Sequence, residues 1–141
     1  MMKKILVATD ASEYSKRALI IALDLARKFN AEVELLFVMI DPVVYGFGVA
    51  DSYVAAPEQI ERDGELALEA TLEGIDISGI TLAKKKMHGN PGHVIVQEVE
   101  DENIDLVVMG SHGYGAILGS VLGSVSQKVL HGSKCSVLIV K

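Results

Sequence analysis

Short segments that are apolar at nearly every position alternate with helical segments along this chain, and no other feature limits its fold as strongly. The first such segment, residues 3–9, reads KKILVAT, a lysine entry followed by an unbroken apolar run. Unbroken rather than alternating apolarity is typical of a strand covered on both faces, as in a parallel sheet. Strands that alternate with helices therefore predict an α/β domain with helices on both faces of a parallel sheet.

Five strands and four helices are predicted on this basis, within one domain of residues 1–141. The strand at residues 80–88 carries Lys84, Lys85 and Lys86, which suits an edge strand because charge blocks stray pairing. Connections between parallel strands should be right-handed. The predicted strands cover residues 3–9, 32–40, 80–88, 104–109 and 134–140. The predicted helices cover residues 13–29, a segment that starts at Pro57, residues 91–101 and residues 125–131.

Capping residues indicate where the helices start. Ser12 precedes the first helix, and Asn90 precedes the third, in which Pro91 takes the first helical position. These residue types favour those positions. Ser124 followed by Gln127 at the third helical position has the spelling of a capping box. We therefore expect Ser124 to be the N-cap of the fourth helix.

The charge balance and the cysteine content exclude several classes of protein. The net charge is −6 and the isoelectric point is near 5.1, which argues against binding to nucleic acid or to an anionic membrane. No run of about 18 apolar residues is present, so no membrane span is expected. The single cysteine, Cys135, excludes an internal disulfide and suits the reducing cytoplasm. A reactive thiol and a small buried apolar residue both fit its position.

A glycine-spaced stretch connects the fourth strand to the fourth helix. A glycine loop that ends at a helix N-terminus offers N–H groups and a positive dipole end to a phosphate. Glycines also gather in plain surface turns, and neither GxxxxGK[ST] nor GxGxxG is present here. The pattern alone leaves both interpretations open. The glycines of the stretch are Gly110, Gly113, Gly115, Gly119 and Gly123.

The spacing of this stretch, Gly-x2-Gly-x9-Gly-Ser, resembles the nucleotide-binding signature of the universal stress protein family, in its ATP-binding branch. The resemblance extends to both ends of the chain, where residues 2–12 (MKKILVATDAS) and 123–140 (GSVSQKVLHGSKCSVLIV) are similar to the opening and closing segments of that family. It implies a three-layer α/β sandwich, Rossmann-like and adenine-nucleotide alpha-hydrolase-like, with sheet order 3-2-1-4-5. The residues that match the spacing are Gly110, Gly113, Gly123 and Ser124.

The implied strand order brings Asp10 close to the glycine stretch. In sheets of this type ligands bind at the carboxyl ends of the strands where the strand order reverses, here between strands one and four. Asp10 ends the first of these strands and Gly110 ends the other. The Asp10 carboxylate suits hydrogen bonds from ribose hydroxyls or the hydration shell of Mg²⁺. The alternative is that Asp10 only caps the first helix.

The resemblance further implies a site for ATP or another adenine nucleotide, with Mg²⁺ held by Asp10 and the phosphates. In this arrangement Val38 would offer its backbone to the adenine, Gly110 would face the ribose, and the start of the fourth helix would surround the phosphates. The implied site residues are Ala8, Thr9, Asp10, Val38, Met109, Gly110, Ser111, His112, Gly113, Gly123, Ser124, Val125 and Ser126.

The middle of the loop departs from the family pattern. Relatives often carry Arg after the second glycine and further basic residues beyond it, whereas residues 114–120 (YGAILGS) contain none. A phosphate chain would then meet N–H groups, hydroxyls and a metal, without a Lys or Arg side chain bonded to its oxygens. Lys128 is the nearest basic candidate in the sequence. The apolar residues 116–118 are also suited to pack on a partner.

Support for catalysis is limited to His112, which either acts as a general acid or base or only orients the loop. No HxGH motif and no Ser-Gly-Gly-x-Asp-Ser loop is present, which argues against nucleotidyl transfer and a pyrophosphatase. No metal cluster is expected from His88, His93 and His131, which are scattered. We expect a cytoplasmic regulatory or stress-response protein that binds ATP and is at most a weak ATPase. A dimeric interaction module that works without nucleotide is the alternative.

The last strand predicts a homodimer. Residues 136–140 (SVLIV) are uncharged and rich in β-branched side chains, and the implied order makes them the outer strand. An edge of this kind invites pairing with a second copy of the chain. Residues 43–56, which have no clear period, are predicted either to cover this edge, to form a lid over the site, or to pack on the surface.

Overall fold

The computed structural model describes residues 1–40, 57–113 and 122–141, which form alternating strands and helices. Two segments with sequence-based predictions, residues 43–56 and the loop at 114–120, lie outside the described residues. The strands are β1 (Lys4–Thr9), β2 (Glu32–Met39), β3 (Leu82–His88), β4 (Leu106–Gly110) and β5 (Ser136–Val140). The helices are α1 (Glu13–Phe29), α2 (Pro57–Leu72), α3 (Pro91–Asp101) and α4 (Ser124–Gly132).

The five strands form one parallel sheet in the order β3-β2-β1-β4-β5, so the predicted fold and strand order are confirmed. Three strands, β3, β4 and β5, start two residues later than the sequence suggested. The N–H of Ile80 donates to the carbonyl of Ile77 in a turn, and the N–H of Ile104 donates to Val99 at the end of α3. These apolar residues therefore belong to the turns that precede β3 and β4.

The unbroken apolarity of β1 has a direct structural reason. Ile5 and Val7 are fully buried in the core beneath α1 and α2, whereas Leu6 between them is fully buried against α3 and α4. Successive strand residues point to opposite faces, so a strand covered on both sides needs an apolar side chain at every position. Because both faces are covered, ligands reach β1 from its ends.

The predicted caps are correct for two helices and wrong for the fourth. The side chain of Ser12 accepts a hydrogen bond from the N–H of Ser15, and Asn90 caps α3 in the same way. In α4 the N-cap is Gly123, with no capping side chain, and Ser124 is the first helical residue. The Gln127 amide donates to the carbonyl of Leu122, at 3.0 Å, so no capping box forms. The N-cap residue of α4 therefore provides no side chain to accept hydrogen bonds from the N–H groups of the first turn.

The β3 edge carries its lysines as predicted, and the structure adds the carboxylates that they meet on α2. Lys84 pairs with Glu65, and Lys86 lies 3.1 Å from Glu61 and 3.2 Å from Glu65. His88 also contacts Glu61. The carboxylates of α2 thus partly neutralise the edge strand.

On the opposite face of the sheet, a partly buried charge cluster joins β2, β3 and α3. The Lys85 ammonium forms a close ion pair with Glu98, which is only 2 % exposed, and lies 3.9 Å from Glu34 and 3.7 Å from Glu102. Burial, followed by the charge of Glu98, raises the pKa of Glu34 from 4.5 to about 7. Three carboxylates thus face Lys85, and of these Glu102 also lies 3.7 Å from the ammonium of Lys4, so an ionised Glu34 is poorly compensated.

Glu34→Gln should therefore stabilise the protein at alkaline pH. The folded state holds a proton on Glu34 between pH 4.5 and about 7 that the unfolded chain releases, so this residue's contribution to stability falls as the pH rises through that window. The amide should raise the free energy of unfolding by about 1–2 kcal/mol near pH 8 and change it little near pH 4. Thermal melts across this range measure the effect.

The matched control is Glu32→Gln, which removes an exposed carboxylate at the start of the same strand. It should leave the pH profile of the melting temperature close to that of the native protein. If Glu34→Gln melted at a lower temperature than the native protein near pH 8, the ionised carboxylate would stabilise the cluster, which would contradict this account.

Candidate functional site

A cavity of about 960 Å³ opens at the carboxyl ends of β1 and β4, where the strand order reverses. This is the position at which open α/β sheets bind ligands. Its floor is formed by the ends of the central strands, and one side is formed by the first turn of α4. The sheet topology and the cavity thus coincide at the place that the sequence suggested.

All but one of the predicted site residues line this cavity. The exception is Ser111, which is 4 % exposed and lies behind the wall. Residues distant in sequence, such as Val38 on β2 and Ser124 on α4, are brought to the same space. The predicted residues that line the cavity are Ala8, Thr9, Asp10, Val38, Met109, Gly110, His112, Gly113, Gly123, Ser124, Val125 and Ser126.

The backbone of Ser111 connects three elements around the cavity. Its N–H donates to the carbonyl of Val140 at the end of β5, at 2.8 Å. Its carbonyl accepts from the N–H of Gly123, at 2.7 Å, and from the hydroxyl of Ser126, at 2.9 Å. The hydroxyl of Ser126 is therefore used to hold the start of α4 against β4.

The Asp10 carboxylate has both a structural partner and a place in the cavity wall. Its Oδ1 accepts from the N–H of Ser12, at 3.0 Å, and from the hydroxyl of Ser15, at 3.3 Å. Ser12, and not Asp10, provides the cap of α1. Asp10 thus shapes the turn before the helix while it lines the cavity beside Gly113.

A buried hydroxyl network, which the sequence analysis missed, supports this turn. The hydroxyl of Thr9 donates to Ser15 at 3.0 Å and lies 2.7 Å from the hydroxyl of Thr71 on α2. The N–H of Ala11 donates to Thr9, and Ala11 adopts a left-handed conformation with φ of 67°. The position of Thr71 on the apolar face of α2 was visible in the sequence, but its partners on β1 and α1 were not.

Two glycines are required by close approach of the β4 loop to its neighbours. A Cβ on Gly110 would lie 2.6 Å from the Cβ of Tyr14 and 3.0 Å from its backbone carbon. A Cβ on Gly113 would overlap the carboxylate of Asp10. At Gly123 the nearest atom would be 3.4 Å away, which is ordinary contact. The first two positions thus exclude larger residues without reference to any ligand.

His112 lies in the cavity wall within a row of ring contacts. Its Nδ1 is 3.0 Å from the hydroxyl of Ser111, and its ring centroid is 5.6 Å from that of Tyr14. The Arg17 guanidinium lies over the ring of Tyr14, 4.8 Å from its centroid, and donates to the carbonyl of Lys141. This arrangement orients the imidazole, which suits the predicted orienting role of His112.

The cavity wall is apolar and acidic. Among the described lining residues the carboxylates are Asp10 and Asp63, and none is Lys or Arg. The sequence analysis missed Asp63, although it follows Ile60 at helical spacing on α2 and so shares its face. Lys128, the nearest basic candidate in sequence, does not line the cavity; its Cβ and Cγ lie against Gly92 on α3.

Within residues 1–40, 57–113 and 122–141, no three His, Cys, Asp or Glu side chains are grouped so that they could hold a metal ion. In the same part of the chain no helix is long and apolar enough to span a membrane.

Comparison with known proteins gives one consistent family. A model of the Universal stress protein family matches residues 1–141. The universal stress protein YxiE of Bacillus subtilis is 33 % identical over 149 residues, which cover 100 % of each chain.

Solved structures agree with the fold. The structure of the hypothetical protein MJ0577 is similar, with a TM-score of 0.78 and 29 % identity over 100 % of this chain and 96 % of that one. A universal stress protein family protein from Arabidopsis thaliana, solved with AMP bound, has a TM-score of 0.68 and 25 % identity over 99 % of this chain and 91 % of that one.

The glycine contacts predict different tolerances to substitution. Gly110→Ala should lower the free energy of unfolding by about 1–3 kcal/mol, because the new methyl group would press on the backbone of α1 at Tyr14. Gly123→Ser, in the same loop, should leave stability unchanged or higher, because serine is a preferred N-cap and its Cβ has room. Urea denaturation of both variants measures this, and equal losses would contradict the contact analysis.

Proposed function

The chain belongs to the universal stress protein family, and from this membership we propose that its cavity binds an adenine nucleotide, ATP or a related one, for a regulatory role in the stress response. The observation that carries the proposal is the convergence of the Gly-x2-Gly-x9-Gly-Ser residues and Asp10 on one cavity at the strand reversal. The Arabidopsis relative with AMP bound, similar over nearly the whole chain, supports it.

Each part of the cavity has a role in this proposal. The end of β2 at Val38 offers its backbone to the base, and the apolar side chains of Leu36 and Ile95 enclose it. The ribose lies near Gly110 and Asp10. The N–H groups of the first turn of α4 meet the phosphates, since a helix N-terminus favours an anion.

Mg²⁺ fits this arrangement when a nucleotide is present. Magnesium is typically held by one or two carboxylates together with substrate phosphates, and Asp10 is the candidate carboxylate. The ion would neutralise phosphate charge. Hydrolysis is expected to be slow, because the Nδ1 of His112, the candidate base, is already engaged with the hydroxyl of Ser111 at 3.0 Å. We place the protein in the cytoplasm, where Cys135 would stay reduced.

Titration with AMP and with ATP plus Mg²⁺ tests the nucleotide proposal. The native protein should bind both. Gly123→Val should weaken binding at least about tenfold, because branched carbons would stand beside the N–H groups that meet the phosphates. Gly113 is less suited to this test, since a side chain there would strike Asp10 in the free protein.

The matched control for that titration is Gly132→Val, at the other end of the same helix and outside the cavity. It should bind like the native protein, and circular dichroism should show both variants folded. If Gly123→Val bound nucleotide as tightly as the native protein, the site assignment would be wrong.

We further propose that the protein forms a homodimer through β5. This strand is the outer one of the sheet, and Leu138 on it is 37 % exposed. An uncharged outer strand favours pairing with a second copy, whereas β3 at the other edge is shielded by ion pairs. This surface also favours the second candidate function, an interaction module that works without nucleotide.

Leu138→Lys should convert the dimer to a monomer in sedimentation experiments, because a charge would be placed in the paired edge. The native protein should sediment at twice the chain mass of 15.1 kDa. Leu66→Lys is the control, since Leu66 is more exposed, at 59 %, but lies on α2. A well-folded native monomer at tens of micromolar would contradict the dimer.

A further inference from the structure

We propose that, without a divalent cation, this cavity prefers an adenine ligand of low charge, such as AMP or adenosine, over ATP, and that a divalent cation is needed to admit the longer phosphate chain. The inference rests on the proposed nucleotide site and concerns which member of that class it takes. It follows from the charges that surround the cavity.

The fixed side-chain charges in the cavity wall are negative. Asp10 stands at the end of β1 beside Gly113, on the side where the glycine stretch approaches. Asp63 faces the cavity from α2, with its Oδ1 held 2.7 Å from the amide nitrogen of Gln59. A polyanion that enters this space meets the half-buried Asp10 and the exposed Asp63; both carboxylates repel it, and Asp63 does so more weakly because water and salt screen its charge.

Among the described residues that line the cavity, none is Lys or Arg, so no basic side chain of the described wall lies beside these carboxylates. The sequences of residues 41–56 and 114–121 also contain no Lys, Arg or His.

Four basic side chains close in sequence to the lining residues do not line the cavity themselves; one of them, Arg62, donates to the side chain of Gln59. Arg17 lies over the ring of Tyr14 and donates to the carbonyl of Lys141. Lys86 is paired with carboxylates on α2, and the stem of Lys128 lies along α3.

Helix N-termini supply positive potential at the cavity: that of α4, whose cap Gly123 has no side chain, and that of α3, whose first residue Pro91 also lines the cavity. A helix N-terminus is equivalent to about half a positive charge. Such ends offset only part of the charge of a single phosphate group, which is about −2. Each further phosphate adds negative charge for which the wall has no partner. A divalent cation changes the balance, because it binds the phosphates and a carboxylate together.

Calorimetric titration with adenosine, AMP, ADP and ATP, in EDTA and then in Mg²⁺, tests this ranking near pH 8, where imidazole side chains are generally neutral. In EDTA the native protein should bind AMP at least about tenfold more tightly than ATP. Mg²⁺ should strengthen ATP binding by a similar factor and leave adenosine binding unchanged.

Asp10→Asn identifies the source of the effect. It removes one wall charge while the amide oxygen can still accept from Ser12, so ATP binding in EDTA should improve about threefold or more and the gain from Mg²⁺ should shrink. Glu69→Gln removes the same charge from an exposed position of α2 outside the cavity, and its binding should match the native protein.

The outcomes separate this inference from the proposed function. Binding of ATP in EDTA as tight as that of AMP, or tighter, would overturn the charge preference while the nucleotide site stands. Failure of all four ligands to bind in either buffer would overturn both. An equal gain for Asp10→Asn and Glu69→Gln would assign the effect to overall charge, and so would also contradict it.

Discussion

The hydrogen bonds of the Ser111 backbone are the interaction on which the rest of the site depends. They join the end of β4 to the end of β5 and to the start of α4. The cap of α4 is therefore Gly123, whose N–H is already bonded, and the first helical turn faces the cavity. If the chain after β4 were anchored only at the end of that strand, the direction of α4 would not be fixed. The proposed site depends on this direction, because the N–H groups of the first helical turn must face the cavity.

Close packing also explains the conformation of the turn that follows β1. Gly110 and Gly113 let the β4 loop touch α1 and Asp10, while Thr9, Ser15 and Thr71 fix the turn that carries Asp10. A strained left-handed Ala11 is held within this network. The positions of Gly110 and Gly113 therefore reflect packing within the free protein, whereas Gly123 has room for a side chain.

The apolarity of Ile5, Leu6 and Val7 alike was sufficient to predict a sheet covered on both faces, whereas the strand order was predicted from the family resemblance. Sequence reasoning was wrong about the cap of α4, because the bond from Gly123 to Ser111 joins residues that only the loop geometry brings together. It missed Asp63 for a related reason: helical spacing shows which face a residue shares, but not which strand that face covers. Contacts between residues that are distant in sequence produce no periodic pattern of residue types, so the sequence alone does not reveal them.

The most direct test of the central claim is a map of amide chemical shifts in a ¹H–¹⁵N NMR spectrum as AMP is added. The account predicts that the largest changes occur at Thr9, Gly110, Gly113 and residues 124–126, with little change in β3 or at the far end of α1. Largest changes around Cys135 at the opposite end of the sheet, or no change at saturating AMP, would contradict the assignment of the cavity as the nucleotide site.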